Sequence, residues 1–140
     1  MRATNFTWSD SIHVGLEGQD YDLHNNFDFR QFTYDPAGQS ASLEWERGNG
    51  DWIPANQPQR ITLRLQGVTQ FSFSERDPEM PYTEDDCLAS FGYVSDEEWA
   101  DGQFTVDKQP EDHWGWSFIF QSGAEIRVTG EAATIEIVRE

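Results

Sequence analysis

Three histidines (His13, His24, His113) and one cysteine (Cys87) are the residues of this chain best suited to nucleophilic chemistry. They are scattered, and no G-x-S-x-G turn is present to raise a serine into attack geometry. Cys87 opens an apolar run, where a thiol reads as a small buried residue. Zinc has no support, because H-x-H, H-E-x-x-H and C-x-x-C are all missing. The acidic stretches "TEDD" (83–86) and "DEEWAD" (96–101) are rich in the hard oxygen ligands that calcium accepts, but neither has EF-hand spacing with its glycine. They read as solvated loops, so neither a metal nor another cofactor is expected. Paired carboxylates for glycoside hydrolysis carry no information here, since twenty-six acids supply such pairs everywhere. The chain is therefore expected not to be an enzyme.

Stacking chemistry has more to offer. Six tryptophans in 140 residues are many, and their faces suit sugar rings. Trp45 and Trp116 fall at inward-facing positions, which leaves Trp8, Trp52, Trp99 and Trp114. Trp52, in "GNGDWIPANQP", is the best exposed loop ring, and Trp114 stands at the open end of a strand. These two rings are the candidates for sugar binding, the alternative to protein binding.

The elements holding these groups are strands. Period-2 alternation dominates, and no eleven-residue window keeps a helical period. In "DHWGWSFIFQSG", Trp114, Trp116, Phe118 and Phe120 share parity and hence one face. A three-residue loop, Gln121-Ser122-Gly123, with glycine in the left-handed position, sets Phe120 against Ala124, Phe118 against Ile126 and Trp116 against Val128. A one-residue slip would send the apolar set to the wrong face. "TIEIV" is expected to return beside this hairpin, Ile135 opposite Val128 and Ile137 opposite Ile126, making a C-terminal meander. "RITLRLQGVTQFSF" keeps odd parity from Ile61 to Phe73, as one long strand bent at Gly67 or as two strands meeting at a corner. In "FDFRQFTYD" the parity switches at Arg30-Gln31, the mark of a β-bulge. "CLASFGYV" and "QFTVD" are shorter strands. Helix is confined to one or two short turns: "SDEEW", with a capping pattern at Ser95 and Glu98, and "TEDDCLA". Roughly nine strands with hairpin-length links indicate a single all-β domain over residues 1–140, an antiparallel sandwich or a half-closed barrel. Two long loops, 48–59 and 75–86, are of a length that is often functional.

Charge narrows the partners. Twenty-six acids against nine bases leave a formal −17. The first seventy residues hold nine acids and five bases; the last seventy hold seventeen and four. Residues 75–112 alone carry thirteen acids against Arg76 and Lys108. That balance argues against nucleic acid and anionic membranes, which need Lys and Arg to neutralise phosphate. A basic protein partner is the expectation. The single cysteine, the start "MRATNFTWSDS" without an apolar run, and the lack of any stretch of membrane-spanning length suggest a cytoplasmic setting.

"YDLHNNFDFRQFTYDPAGQSASLEWE", "RITLRLQGVTQFSF" and "WGWSFIFQSGAEIRVTG" together resemble a group of small bacterial β-domains that includes immunity proteins of polymorphic toxin systems. Leu23-His24-Asn25, Gly67-Val68 and Gly123 carry the match, which spans roughly Leu23 to Ile137. Where such relatives often have Asp after the His, this chain has Asn25, which speaks against a role that needs a carboxylate there. The resemblance implies a cytoplasmic inhibitor that covers a toxin. An acidic surface suits that role, because nuclease toxins present basic clefts. The contact is then expected on Glu84, Asp85, Asp86, Asp96, Glu97, Glu98 and Asp101, with Tyr82 and Trp99 as anchoring rings.

Overall fold

A computed structural model describes residues 1–105 and 109–139; within these the side chain of Asp101 is not described. Twelve strands are present among the described residues: β1 (Arg2–Ala3), β2 (Thr7–Trp8), β3 (His13–Leu16), β4 (Gln19–Asp22), β5 (Phe27–Asp35), β6 (Ser40–Arg47), β7 (Arg60–Gln66), β8 (Gln70–Ser74), β9 (Leu88–Val94), β10 (Gly115–Phe120), β11 (Glu125–Thr129) and β12 (Ala132–Val138). A 3-10 turn covers Tyr82–Asp86, and one short helix, α1, covers Asp96–Asp101. The strands form a five-stranded sheet in the order β1-β12-β7-β6-β5, a four-stranded sheet β8-β11-β10-β9, and a small sheet β2-β3-β4.

The two larger sheets make the sandwich. Alternation puts Leu43 and Trp45 of β6, Ile61, Leu63 and Leu65 of β7, and Phe118 of β10 in the core, each no more than 1% exposed. Trp45 meets Phe118 across the layers with ring centroids 6.3 Å apart. The small sheet packs in with Trp8, whose ring stacks on Phe91 of β9 at 3.7 Å.

The β10–β11 hairpin has the expected register, with Trp116 opposite Val128 and Phe118 opposite Ile126. Gly123 turns it at φ +87°, a conformation costly for any residue with a Cβ. The bulge in β5 also falls where the parity switch puts it, its register shifting between Phe29 and Gln31. Ser95 and Glu98 form the capping box of α1. The strand expected in "QFTVD" is described only to Thr105, which makes a single bridge to Tyr93; Val106, Asp107 and the neighbouring Lys108 lie outside the described residues.

The C-terminal meander is not formed. β12 leaves β11 and joins the five-stranded sheet, with Ile135 opposite Leu63 and Ile137 opposite Ile61. Val128 and Ile126 instead face Phe71 and Phe73 of β8. The reason is a shared corner. β7–β8 and β11–β12 run as one antiparallel ribbon that bends between the sheets, β7 pairing β12 before the bend and β8 pairing β11 after it. At the bend Gly67 has φ +64°, and a Cβ on Gly130 would lie 3.1 Å from the Gln66 carbonyl oxygen. Of the two readings of residues 60–74, the corner is therefore the one found. Alternation fixes which face β12 buries, and either apolar sheet satisfies it.

Candidate functional site

One side of the sandwich stays open, between the edge strands β5 and β8. Bending the ribbon at Gly67 sends β8 to the edge of its sheet, with all five residues exposed. Phe71 and Phe73 point inward by parity but are 41% and 65% exposed. Phe71 has partial cover from β5, its ring 5.4 Å from Phe32 and 4.7 Å from Tyr34. Phe73 borders a cleft of about 400 Å³ floored by Phe29, Phe120, Ala124 and Ile126. The β5 bulge places Arg30 on its rim, where Nε donates to Glu46 at 3.2 Å.

The other rim is the 3-10 turn, which brings Tyr82, Thr83, Asp85 and Asp86 to the cleft. Tyr82 is 75% exposed. Asp85 accepts from Arg76 Nε at 3.1 Å on each carboxylate oxygen. That hydrogen bond, helped by one from Ser122, holds its carboxyl below the ordinary range. Asp86 shifts the other way: partial burial, with repulsion from Asp28, Glu84 and Asp85, raises it against the pull of Arg30. Adjacent carboxylates thus differ, one satisfied within the chain and one short of a cation.

Just past the turn, Cys87 Sγ lies 3.4 Å from His24 Nδ1. The same nitrogen lies 2.6 Å from the Leu88 carbonyl oxygen, which can only accept, so Nδ1 carries the proton and donates it there. It is unavailable as a base toward the thiol. Burial, and then the carboxylates of Glu84, Asp86, Asp28 and Asp22, raise the Cys87 pKa, the opposite of what a nucleophile needs. Among the described residues no three His, Cys, Asp or Glu side chains converge to hold a metal ion.

The expected contact residues divide into two groups. Tyr82, Glu84, Asp85 and Asp86 precede β9, whereas Asp96, Glu97, Glu98 and Trp99 follow it. Seven extended residues hold the groups roughly 20 Å apart. The second group is partly structural. Glu98 closes the capping box, and its carbonyl accepts from Arg127 Nη1 at 3.1 Å. Trp99 is half-buried against Gly115, while Asp96 and Glu97 are exposed. The side chain of Asp101 lies outside the described residues. Only the first group adjoins an apolar cleft.

Trp52 and Trp114 are not neighbours either. The loop bearing Trp52 is tied to the Val138 end of β12 through a Gln59–Val138 backbone bond, whereas the Trp114 carbonyl accepts from the Met1 amino group beside the Ala132 end. The length of β12, again roughly 20 Å, lies between them. Trp52 is 70% exposed, its indole N–H donating to the Asn25 carbonyl at 3.1 Å; Trp114 is half-buried. Phe71 and Phe73 are the residues that sequence reasoning passed over as site members. Their one signal is position: β8 precedes a long loop, so only one of its sequence neighbours is a hairpin-length link.

No family model, no curated protein and no solved structure matches the chain. No helix among the described residues is long and apolar enough to cross a membrane.

Proposed function

We propose that this chain is a non-enzymatic acidic binding domain whose partner is a basic protein, and that it acts as an immunity-type inhibitor of a nuclease-like toxin in the cytoplasm. One observation carries the reading: the exposed rings of Phe73 and Tyr82 border an apolar cleft rimmed by Asp85 and Asp86. An apolar centre with a charged rim is how protein interfaces concentrate affinity. Arg30 shares this rim and Arg76 pairs with Asp85, so Asp86 is the rim charge left to favour a positive partner. The formal −17 adds steering at a distance. Glu84, Asp85, Asp86, Tyr82 and Phe73 form the contact in this reading, with Asp96 and Glu97 acting through their field.

The test is affinity capture from native lysate with the wild-type chain and with a Glu84→Lys, Asp86→Lys double variant. A stoichiometric basic protein, released by salt and missed by the variant, is the expected result. A partner held equally by both, or none at all, sinks the proposal.

Trp52 favours a second reading, carbohydrate binding at a single ring. Its indole lies over Gly50 and is oriented by the bond to Asn25, leaving a broad exposed face. Sugar-dependent quenching of tryptophan fluorescence, insensitive to salt and lost in Trp52→Ala, would favour it over the first.

A further inference from the structure

Resting on the reading of the chain as an acidic protein-binding domain, we infer that the outer edge of β8 is a strand-addition site. An extended segment of the basic partner pairs with Gln70–Ser74 and lays alternate apolar side chains over Phe71 and Phe73.

Sheet edges expose unpaired N–H and C=O groups, and proteins blunt them. The other edges of this molecule are blunted. β5 carries a bulge at Arg30 and the charges of Asp28 and Asp35. β9 is bridged at Tyr93 by Thr105. β1 and β2 are two residues long, and β4 carries Asp20 and Asp22. β8 reads Gln-Phe-Ser-Phe-Ser, with no charge, proline or bulge, and among the described residues only β11 pairs with it.

Side chains tell the same story as the backbone. Opposite Phe71 and Phe73 on β11 stand Val128 and Ile126, 0% and 3% exposed. The inner face is covered as far as β11, and on β8 the cover thins to Phe32 and Tyr34 over Phe71. An added strand extends both the hydrogen-bonded ladder and the apolar layer.

Charge chooses the occupant. Glu75, Asp77 and Glu79 follow β8 directly with Arg76 among them. Asp85, paired with Arg76, and Asp86 face it across the cleft beside Arg30, so acids outnumber bases five to two. A second copy of this chain would bring the same acids edge to edge, each copy at −17, so self-pairing is opposed. The complementary occupant alternates apolar residues toward the cleft with Lys or Arg toward solvent.

The probe is a nine-residue peptide alternating valine and lysine, with blocked ends. Two companions carry N-methyl groups, one on every valine and one on every lysine. A strand presents alternate N–H groups to each of its edges, and reversing its direction with the valines kept toward the cleft exchanges the two sets. Strand addition in a single direction therefore demands that the two companions differ. We expect the parent to bind, one companion to bind as the parent does, and the other to bind at least about tenfold more weakly. Amide exchange over residues 70–74 should slow on binding, and Phe73→Ser should weaken the parent about tenfold while leaving the circular dichroism spectrum unchanged. Equal affinity of the two companions overturns addition in a single direction, and unchanged exchange at 70–74 overturns strand addition altogether, while salt-sensitive binding of the parent keeps the acidic-domain reading. If neither the parent nor nonalysine binds at low salt, the reading and the inference fall together.

Discussion

Phe118 and Phe73 face the same way on the same sheet, two strands apart, yet one is 0% and the other 65% exposed. Their sequence settings are equally similar, "WSFIF" and "TQFSF", each an aromatic row at alternate positions. What differs is the opposing layer. Phe118 meets Trp45 of the five-stranded sheet, whereas Phe73 looks into the gap between β5 and β8. Parity assigns a side chain to a face; only a second layer buries it. The closed centre supplies stability, and the open edge supplies a surface.

Truncation should separate the two most sharply. Phe118→Ala leaves a cavity in a packed core and should cost about 3–5 kcal/mol in denaturant unfolding. Phe73→Ala should stay within roughly 0.5 kcal/mol of wild type, because an exposed side chain has little packing to lose. Equal losses would break the comparison and make β8 part of the core.

Next in size is the outer face of the four-stranded sheet, where α1 takes the place of an opposing sheet. Arg127 is 5% exposed, with Nε donating to Glu125 at 2.7 Å. Glu125 also accepts from Ser117. Arg127→Ala strands the Glu125 carboxylate and should cost about 3 kcal/mol. A loss below about 1 kcal/mol would mean that water reaches this face and that the pair behaves as a surface one.

A smaller effect is expected at the hairpin that joins the core to the cleft. Gly123→Ala forces a Cβ into φ +87° and should cost about 1–2 kcal/mol, read as a lowered Tm. Because Phe120 and Ala124 flank this turn and floor the cleft, the binding proposed for the cleft should weaken along with stability.

The smallest effects come from the rim, and their signs oppose. Asp85 is depressed, first by its hydrogen bond from Arg76, so its contribution is present above the ordinary carboxylate range and lost as pH falls through its folded value. Asp86 is raised, first by burial, so its ionised form disfavours the fold; that penalty disappears on acidification. Asp85→Asn should therefore lower the unfolding midpoint at neutral pH and Asp86→Asn should raise it. Both differences should vanish below the carboxylate range. Matching signs at pH 7 would contradict the assigned environments.

Legibility in the sequence followed the range of the interactions. The β10–β11 register, the Arg30 bulge and the Ser95–Glu98 cap were readable because each is decided within about ten residues by turn geometry or parity. The path of β12 was not: Ile135 and Ile137 need an apolar face, and two sheets provide one. The candidate site was readable in part. Acid composition pointed to residues 82–86, but the same reasoning grouped them with 96–99, which β9 holds apart. Phe73 escaped because its alternation is that of a core residue.

By itself, then, the sequence determined most of the strands from Phe27 on, their inward faces and a strongly acidic surface, since these follow from side-chain period and charge count. The short β1 to β4, which end at Asp22 and raise the roughly nine expected strands to twelve, have too few residues to show a period. The tertiary structure alone decided which strands became edges, which rings stayed uncovered and which carboxylates share a rim. Those depend on how one ribbon bends at Gly67 and Gly130 and where the opposing layer stops, and no local residue pattern encodes the reach of a distant sheet.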